Sequence, residues 1–204
     1  MGRRSDHGRD ELEALILAAG REVLAETGYA RFSAREVAKR IGYTVGTVMH
    51  VFGNVDGLVV ALNARTFTLW AEWLEAALEG IEGAARIHAL VRGYFDFAEA
   101  HRNLWSAIYE HRLPPGAAMP EPLAAARTGL TDVIAREVAA VLPPPDTPGA
   151  AADAARLTRS LIATVHGHCS FALGGTFAVM GEPDALGLAQ ARVAETLRAH
   201  GAKL

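Results

Sequence analysis

The chain has 204 residues, half of them apolar, with 21% charged and a net charge of −3. That length and apolar content can bury a sizeable core as one compact molecule, in one domain or two small ones. The lone cysteine, Cys169, excludes an intrachain disulfide and fits a reducing compartment. The apolar stretches are too short and too interrupted by charge to span a bilayer, and polar residues rather than an apolar leader follow Met1, so a cytoplasmic protein without membrane partners is expected.

Leu12, Leu15, Ile16, Ala19, Val23 and Leu24 recur at helical spacing, and Gly28 follows as a stop, which predicts a first helix. Phe32 to Val48 then reads as two short helices joined by a tight turn. Ser33 and Glu36 have the spacing of a capping box, and Phe32 and Val37 that of a hydrophobic staple. Val37, Ala38 and Ile41 form a narrow inward stripe, and Gly42 suits a helix end with positive φ. Thr44 can cap the second short helix, which Val48 anchors. Small Ala38, Gly42 four residues on and branched Val48 supply what a helix-turn-helix needs: close approach, a sharp turn and an apolar anchor. Such a unit places its second helix in the major groove of DNA. An ordinary helical hairpin can share these caps, so the flanks decide. A helix precedes the pair; Phe52 closes it, Asn54 offers a new cap, and a long periodic segment begins at Leu58.

Leu58, Leu62, Leu69, Trp70, Trp73, Ala77 and Leu78 share one face of that long helix, which ends near Gly80. Ile87, Leu90, Val91, Tyr94, Phe95 and Ala98 make the next amphipathic stripe. His101-Arg102-Asn103 interrupts it, and Leu104, Trp105, Ile108 and Tyr109 form a short helix before Pro114-Pro115-Gly116. A further helix carries Leu123, Leu130, Val133, Ile134, Val138 and Val141. Pro143 to Gly149 cannot be helical and reads as a loop. Arg156 to about Val179 and Ala185 to His200 are the last two helices. No strand pattern or internal repeat occurs. The expected fold is all-α, with about nine helices.

Leu157, Leu161, Ile162, Val165, Cys169, Ala172 and Leu173 cover more than one stripe of the penultimate helix, and Leu186, Ala189, Val193, Thr196 and Leu197 line the last one. A helix pair too apolar for one partner points to self-association. His166, His168 and Cys169 are possible zinc ligands by type. The two histidines, however, point to different helix faces, and no second motif completes a tetrahedral set. No Gly-rich phosphate loop, nucleophile elbow or HExxH is present. The chain is therefore not read as an enzyme, and no metal or cofactor is expected. Aromatic residues concentrate in the middle helices. Each can be simple core, but together with a few polar groups they can line a pocket for an apolar or aromatic molecule. The candidate ligand residues are Phe67, Trp70, Phe95, Trp105, Tyr109, His166 and Phe171.

The run Ala18-Ala19…Leu24-Ala25-Glu26-Thr27-Gly28-Tyr29…Ser33-Ala34-Arg35-Glu36-Val37-Ala38-Lys39-Arg40-Ile41-Gly42…Gly46-Thr47-Val48…Phe52…Leu58 resembles the TetR family of bacterial transcription regulators. Order, spacing and residue type agree across three helices. Thr164-Val165-His166-Gly167 is similar to a Trp-His-Gly signature of one C-terminal subgroup, with Val165 in place of Trp. The resemblance implies a helix-turn-helix DNA-binding domain over residues 1–53 and a helical effector-binding and dimerisation domain over 54–204. It implies a double-stranded operator, a small-molecule effector and a homodimer formed through the last two helices. By resemblance, Ser33 and Thr44 hold phosphates, while Arg35, Val45, Thr47 and His50 face base edges. Met49, Val51 and Val55 depart from the family pattern, which usually has Tyr, His or Tyr, and Lys there. Neither Met nor Val can donate a hydrogen bond to a phosphate. Through residue 53 eight basic residues stand against seven acidic ones, a weak footprint for DNA binding. Clustering of Arg31, Arg35, Lys39 and Arg40 can still make a positive face. The basic start, Arg3-Arg4…Arg9, reads as a solvated tail or as an arm to DNA. The expected function is that of a ligand-responsive regulator, a repressor released by an apolar or aromatic effector. The rival is a helical ligand-binding protein or enzyme that has lost specific DNA binding.

Overall fold

The computed structural model describes residues 8–144 and 150–204. Arg3, Arg4 and most of the Pro143–Gly149 loop lie outside the described residues. Among the described residues ten α-helices run in the order α1 (Arg9–Thr27), α2 (Ala34–Arg40), α3 (Val45–Phe52), α4 (Val55–Ala77), α5 (Ala85–Ala100), α6 (Arg102–Glu110), α7 (Glu121–Val141), α8 (Ala150–Leu173), α9 (Thr176–Val179) and α10 (Ala185–Ala199). A 3-10 turn, Tyr29–Arg31, joins α1 to α2, and no strand occurs among the described residues.

One helix departs from expectation. The segment expected to run unbroken to Val179 stops at Leu173, because Gly174 and Gly175 follow and Gly175 adopts φ +77°. A left-handed residue ends an α-helix, and glycine takes that conformation without a Cβ clash. The four-residue α9 is the product of this break.

The chain divides into two compact units, one reaching to Phe67 with His101–Arg127 added, the other made of Thr68–Ala100 and Thr128–Leu204. In the first, α1 packs on α2 and α6, and α2 on α3. Ile16, Val23 and Leu24 from α1, Val37 and Ala38 from α2, Val48 from α3, Leu58 and Leu62 from α4, and Leu104 and Ala107 from α6 form its buried core. Helices as short as α2 and α3 are not stable alone in water. Burial of Val37 and Val48, each worth about 1.5–3 kcal/mol, holds them.

In the second unit α5, α8 and α10 pack mutually. Leu161, Val165 and Cys169 of α8 and Ala189, Val193 and Leu197 of α10 are buried. An ion network ties α4, α5 and α7. Arg86 donates to both carboxylate oxygens of Glu137, at 2.6 and 2.9 Å, and to the carbonyls of Leu78 and Ile81. Arg136 donates to Glu137 at 3.0 Å and forks onto Glu75 at 3.0 and 2.9 Å. These guanidinium contacts, led by Arg86, hold the Glu137 carboxyl below the usual carboxylate range.

Candidate nucleic-acid interface and ligand cleft

The α2–α3 turn is built by local chemistry. Gly42 has φ +72°, its N–H donates to the Lys39 carbonyl at 3.2 Å, and the Tyr43 N–H reaches back to Ala38 at 2.9 Å. This pair of bonds is a Schellman motif, and it satisfies two carbonyls that the helix end leaves orphaned. Thr44 then caps α3, its Oγ1 accepting from the Thr47 N–H at 3.2 Å. The capping box expected at α2 does not form. Ser33 occupies the N-cap position but makes no side-chain cap bond. The Glu36 carboxylate lies instead 3.7 Å from Arg40 and 3.9 Å from Lys39. Ion pairing within the helix draws it away from the N-terminus.

Of the residues assigned to DNA by resemblance, Arg35, Thr44, Val45 and His50 are exposed, and Ser33 and Thr47 are half-buried. The Thr47 hydroxyl lies 3.1 Å from that of Thr44. Arg35 makes no ion pair with another described residue, so its fork is open to a ligand. The positive face is smaller than the four cations imply. Arg40 forks onto Glu26 of α1 at 2.8 and 2.5 Å and lies 3.8 Å from Glu22. The same hydrogen bonds lower the Glu26 pKa and raise that of Arg40. Arg31 donates to the Thr27 carbonyl at 3.3 Å.

Met49 and Val51 are half-buried against the first unit's core. There they anchor α3 from within. Val55 differs. It is 45% exposed in the first turn of α4, beside Asn54, whose Oδ1 accepts from the Gly57 N–H at 2.7 Å. A Val55→Lys substitution thus meets open space rather than core. It should add about one phosphate contact per subunit, each steepening the slope of log affinity against log salt by about 0.9. The gain should be equal for operator and random DNA, since phosphates carry no sequence. A salt titration checks this; an unchanged slope would mean that α4 begins away from the phosphates.

The second unit contains a cleft of about 430 Å³ walled by Leu74, Ile87, Leu90, Val91, Tyr94, Ile134, Val138, Leu161, Ile162, Val165 and Val193. Much of that volume is open to solvent, and the enclosed room is only about 40 Å³, so the cleft is narrow. Of the seven aromatic and histidine candidates, Trp70, Phe95, His166 and Phe171 belong to this unit, and Phe67, Trp105 and Tyr109 to the other. Trp70 is stacked on Phe97 (centroids 4.8 Å) and meets the edge of Tyr94 (4.7 Å). His166 Nδ1 lies 3.0 Å from the Tyr94 hydroxyl. Trp70 and His166 are thus gathered around Tyr94, a cleft residue absent from the sequence-based set. Phe95 is buried, whereas Phe171 is 48% exposed and packs on Phe177. In the first unit Phe67 and Trp105 are buried, and the edge of Trp105 meets Tyr109, which is 38% exposed. The aliphatic lining carried only an ordinary amphipathic signal. His168 Nδ1 donates to the Thr164 carbonyl at 2.8 Å, and burial pushes the Cys169 thiol up to about 12, so it is protonated at neutral pH.

Burial holds His166 below the usual histidine range, and burial with the nearby Arg21 charge does the same to His101. Such groups take up protons more readily unfolded, so their share of stability is complete above about pH 6.5 and declines as pH falls through that value. The Glu137 carboxylate, with a lowered folded pKa, is lost only at more acidic pH. The melting temperature of a His101→Gln/His166→Gln variant should therefore depend less on pH around 6 than that of the parent. Equal slopes would assign the acid loss to other groups.

A family model for the tetR family of bacterial regulatory proteins matches residues 16–62, and one for the tetracyclin repressor-like C-terminal domain matches residues 87–195. Among solved structures, the chain is similar to a protein of unknown function from Rhodococcus sp. RHA1, with 28% identity over the full length of both chains and a TM-score of 0.72. A transcriptional regulator from the same organism is 26% identical over 94% of this chain and 98% of its own, with a TM-score of 0.66. FadR from Bacillus subtilis, solved with stearoyl-CoA, shares the fold at 16% identity, 90% and 96% coverage and a TM-score of 0.62. No curated protein matches the chain in sequence. With one model covering the helix-turn-helix and another more than half of the chain, the protein belongs to the TetR family of ligand-responsive transcription regulators.

Proposed function

We propose that the chain is a homodimeric repressor that leaves a palindromic operator when a small apolar effector occupies the second unit. The observation that carries this reading is a solvent-facing, internally capped α2–α3 pair with an open Arg35, in a chain that also holds an uncharged apolar cleft. Arg35, Val45, Thr47 and His50 would face base edges and Ser33 and Thr44 phosphates, with residues up to about 53 forming the DNA-binding part. Two such units in a dimer would enter major grooves roughly 34–36 Å apart or a multiple of it. Effector binding shifts the equilibrium only if the two states differ in affinity for it.

Association through the last two long helices is supported by apolar side chains left open at and between them: Phe171, Val179, Met180 and Leu188. Paired Phe171→Glu and Leu188→Glu changes should convert the dimer to monomer in sedimentation, because charge is depleted from interface cores. Retention of the dimer would place the interface elsewhere. The function itself is tested by mobility shift with the DNA flanking the gene. A discrete complex that survives competitor DNA supports it, and binding no tighter than to random duplex opposes it.

A further inference from the structure

A second cavity of the same unit shares no lining residue with the cleft. It lies where the start of α5, the end of α7 and the chain beyond α10 meet, and its room of about 470 Å³ is within the range that small-molecule sites span. The Lys203 N–H donates to the Val141 carbonyl at 3.2 Å and so ties the chain beyond α10 to the end of α7. Gly201 passes so close to Pro143 that a Cβ would meet its ring at 3.0 Å. One wall is apolar, made by Val141, Leu142, Pro143 and Pro144. The other carries charge. Arg86 and Glu137 line it as a neutralised pair, with Glu137 only 5% exposed. Lys203 lines it too, and makes no ion pair with another described residue. Gly83 and Ala84, just before α5, complete the lining, and the first turn of α5 holds no acidic residue. The positive end of that helix is thus left without a counter-charge of its own.

We infer that this cavity is a second small-molecule site, and that it takes a small monoanion, a carboxylate on a short apolar body. With Arg86 and Lys203 against Glu137, its lining carries a net charge of +1. Arg86 already donates to Glu137, Leu78 and Ile81, so it shapes the floor, and the free charge is that of Lys203. A carboxylate gains from Lys203 and the α5 N-terminus while its body covers the apolar wall. A cation meets repulsion from Lys203, and a neutral molecule gains the wall alone. Inorganic phosphate exceeds the single free charge and has no body to set against the prolines. The inference goes beyond the proposed switch and stands whether or not the cleft takes an effector.

The test is titration calorimetry of the full chain with hexanoate, hexanol, hexylammonium and inorganic phosphate at neutral pH. Hexanoate should bind about three- to twentyfold more tightly than hexanol, the combined gain of one exposed ion pair and one helix N-terminus. Hexylammonium and phosphate should both bind more weakly than hexanoate, and added salt should shrink the advantage of hexanoate over hexanol. Lys203→Met keeps an apolar side chain of similar length. It should cut hexanoate affinity by about two- to fivefold and leave hexanol affinity unchanged. A purely structural role of Lys203 would move both ligands alike. Ala84→Asp sets a carboxylate beside the α5 N-terminus and should cut hexanoate affinity by at least about threefold. It should not lower the melting temperature, because Asp suits the position before a helix. No binding of hexanoate, hexanol or phosphate binding as tightly, or hexanoate affinity unchanged in both variants would overturn the inference. Should one variant fail to fold, the other variant and the ranking on the parent protein still decide.

Discussion

Arg35→Ala should weaken specific operator binding by about 1–3 kcal/mol, the discrimination that one bidentate Arg–guanine contact supplies. Arg35 has this capacity because it is exposed on the second residue of α2 and makes no ion pair with another described residue. Arg40, five residues on, is the internal control. Its guanidinium is already forked onto Glu26, so Arg40→Ala should change specificity little. Fluorescence anisotropy against operator and random duplex gives both numbers. Arg35 reads bases if the ratio of specific to non-specific affinity collapses, and only phosphates if both affinities fall together.

Trp70→Ala should cost about 3–5 kcal/mol of stability, a large share of what a folded protein has. Trp70 is 1% exposed and held between Phe97 and Tyr94, so truncation leaves a cavity that rigid rings cannot collapse into. For a chain of this length the melting temperature should drop by roughly 10 °C. Trp70→Phe should cost much less. It keeps a ring in place, and it removes an indole N–H that has no acceptor among the described residues, relieving a penalty of about 1–3 kcal/mol. Equal losses in the two variants would show that a six-membered ring cannot stand in for the indole between Phe97 and Tyr94.

The helix-turn-helix was legible because its determinants are local. Gly42 at the turn, Thr44 at the cap and Val48 at the anchor act within a few residues of themselves, and spacing alone displays them. The Ser33–Glu36 box has the same kind of spacing and fails, because Lys39 and Arg40 compete for the Glu36 carboxylate. The partner that neutralises Arg40 lies fourteen residues back, on α1, and no local pattern connects them. The departures at Met49 and Val51 were legible as residues without a phosphate donor; that both side chains are half-buried against the core was not. The break after Leu173 did have a signal, the Gly174-Gly175 pair, which an apolar period running past it concealed. The cleft was the least legible feature. Ile87, Leu90 and Ile162 mark helix faces in sequence, but which faces meet depends on packing across the second unit. A bias toward Trp and Phe passed over Tyr94, the one residue there that brings a polar group to the wall.

Selection of duplexes from a random pool by the full chain, repeated with the best-binding ligand present, tests ligand-controlled DNA recognition most directly. The expected result is an enriched palindrome, its half-sites about one helical turn or a multiple of it apart, whose recovery falls when ligand is added. A pool that stays random, or a palindrome recovered equally well with and without a ligand that demonstrably binds, would contradict it.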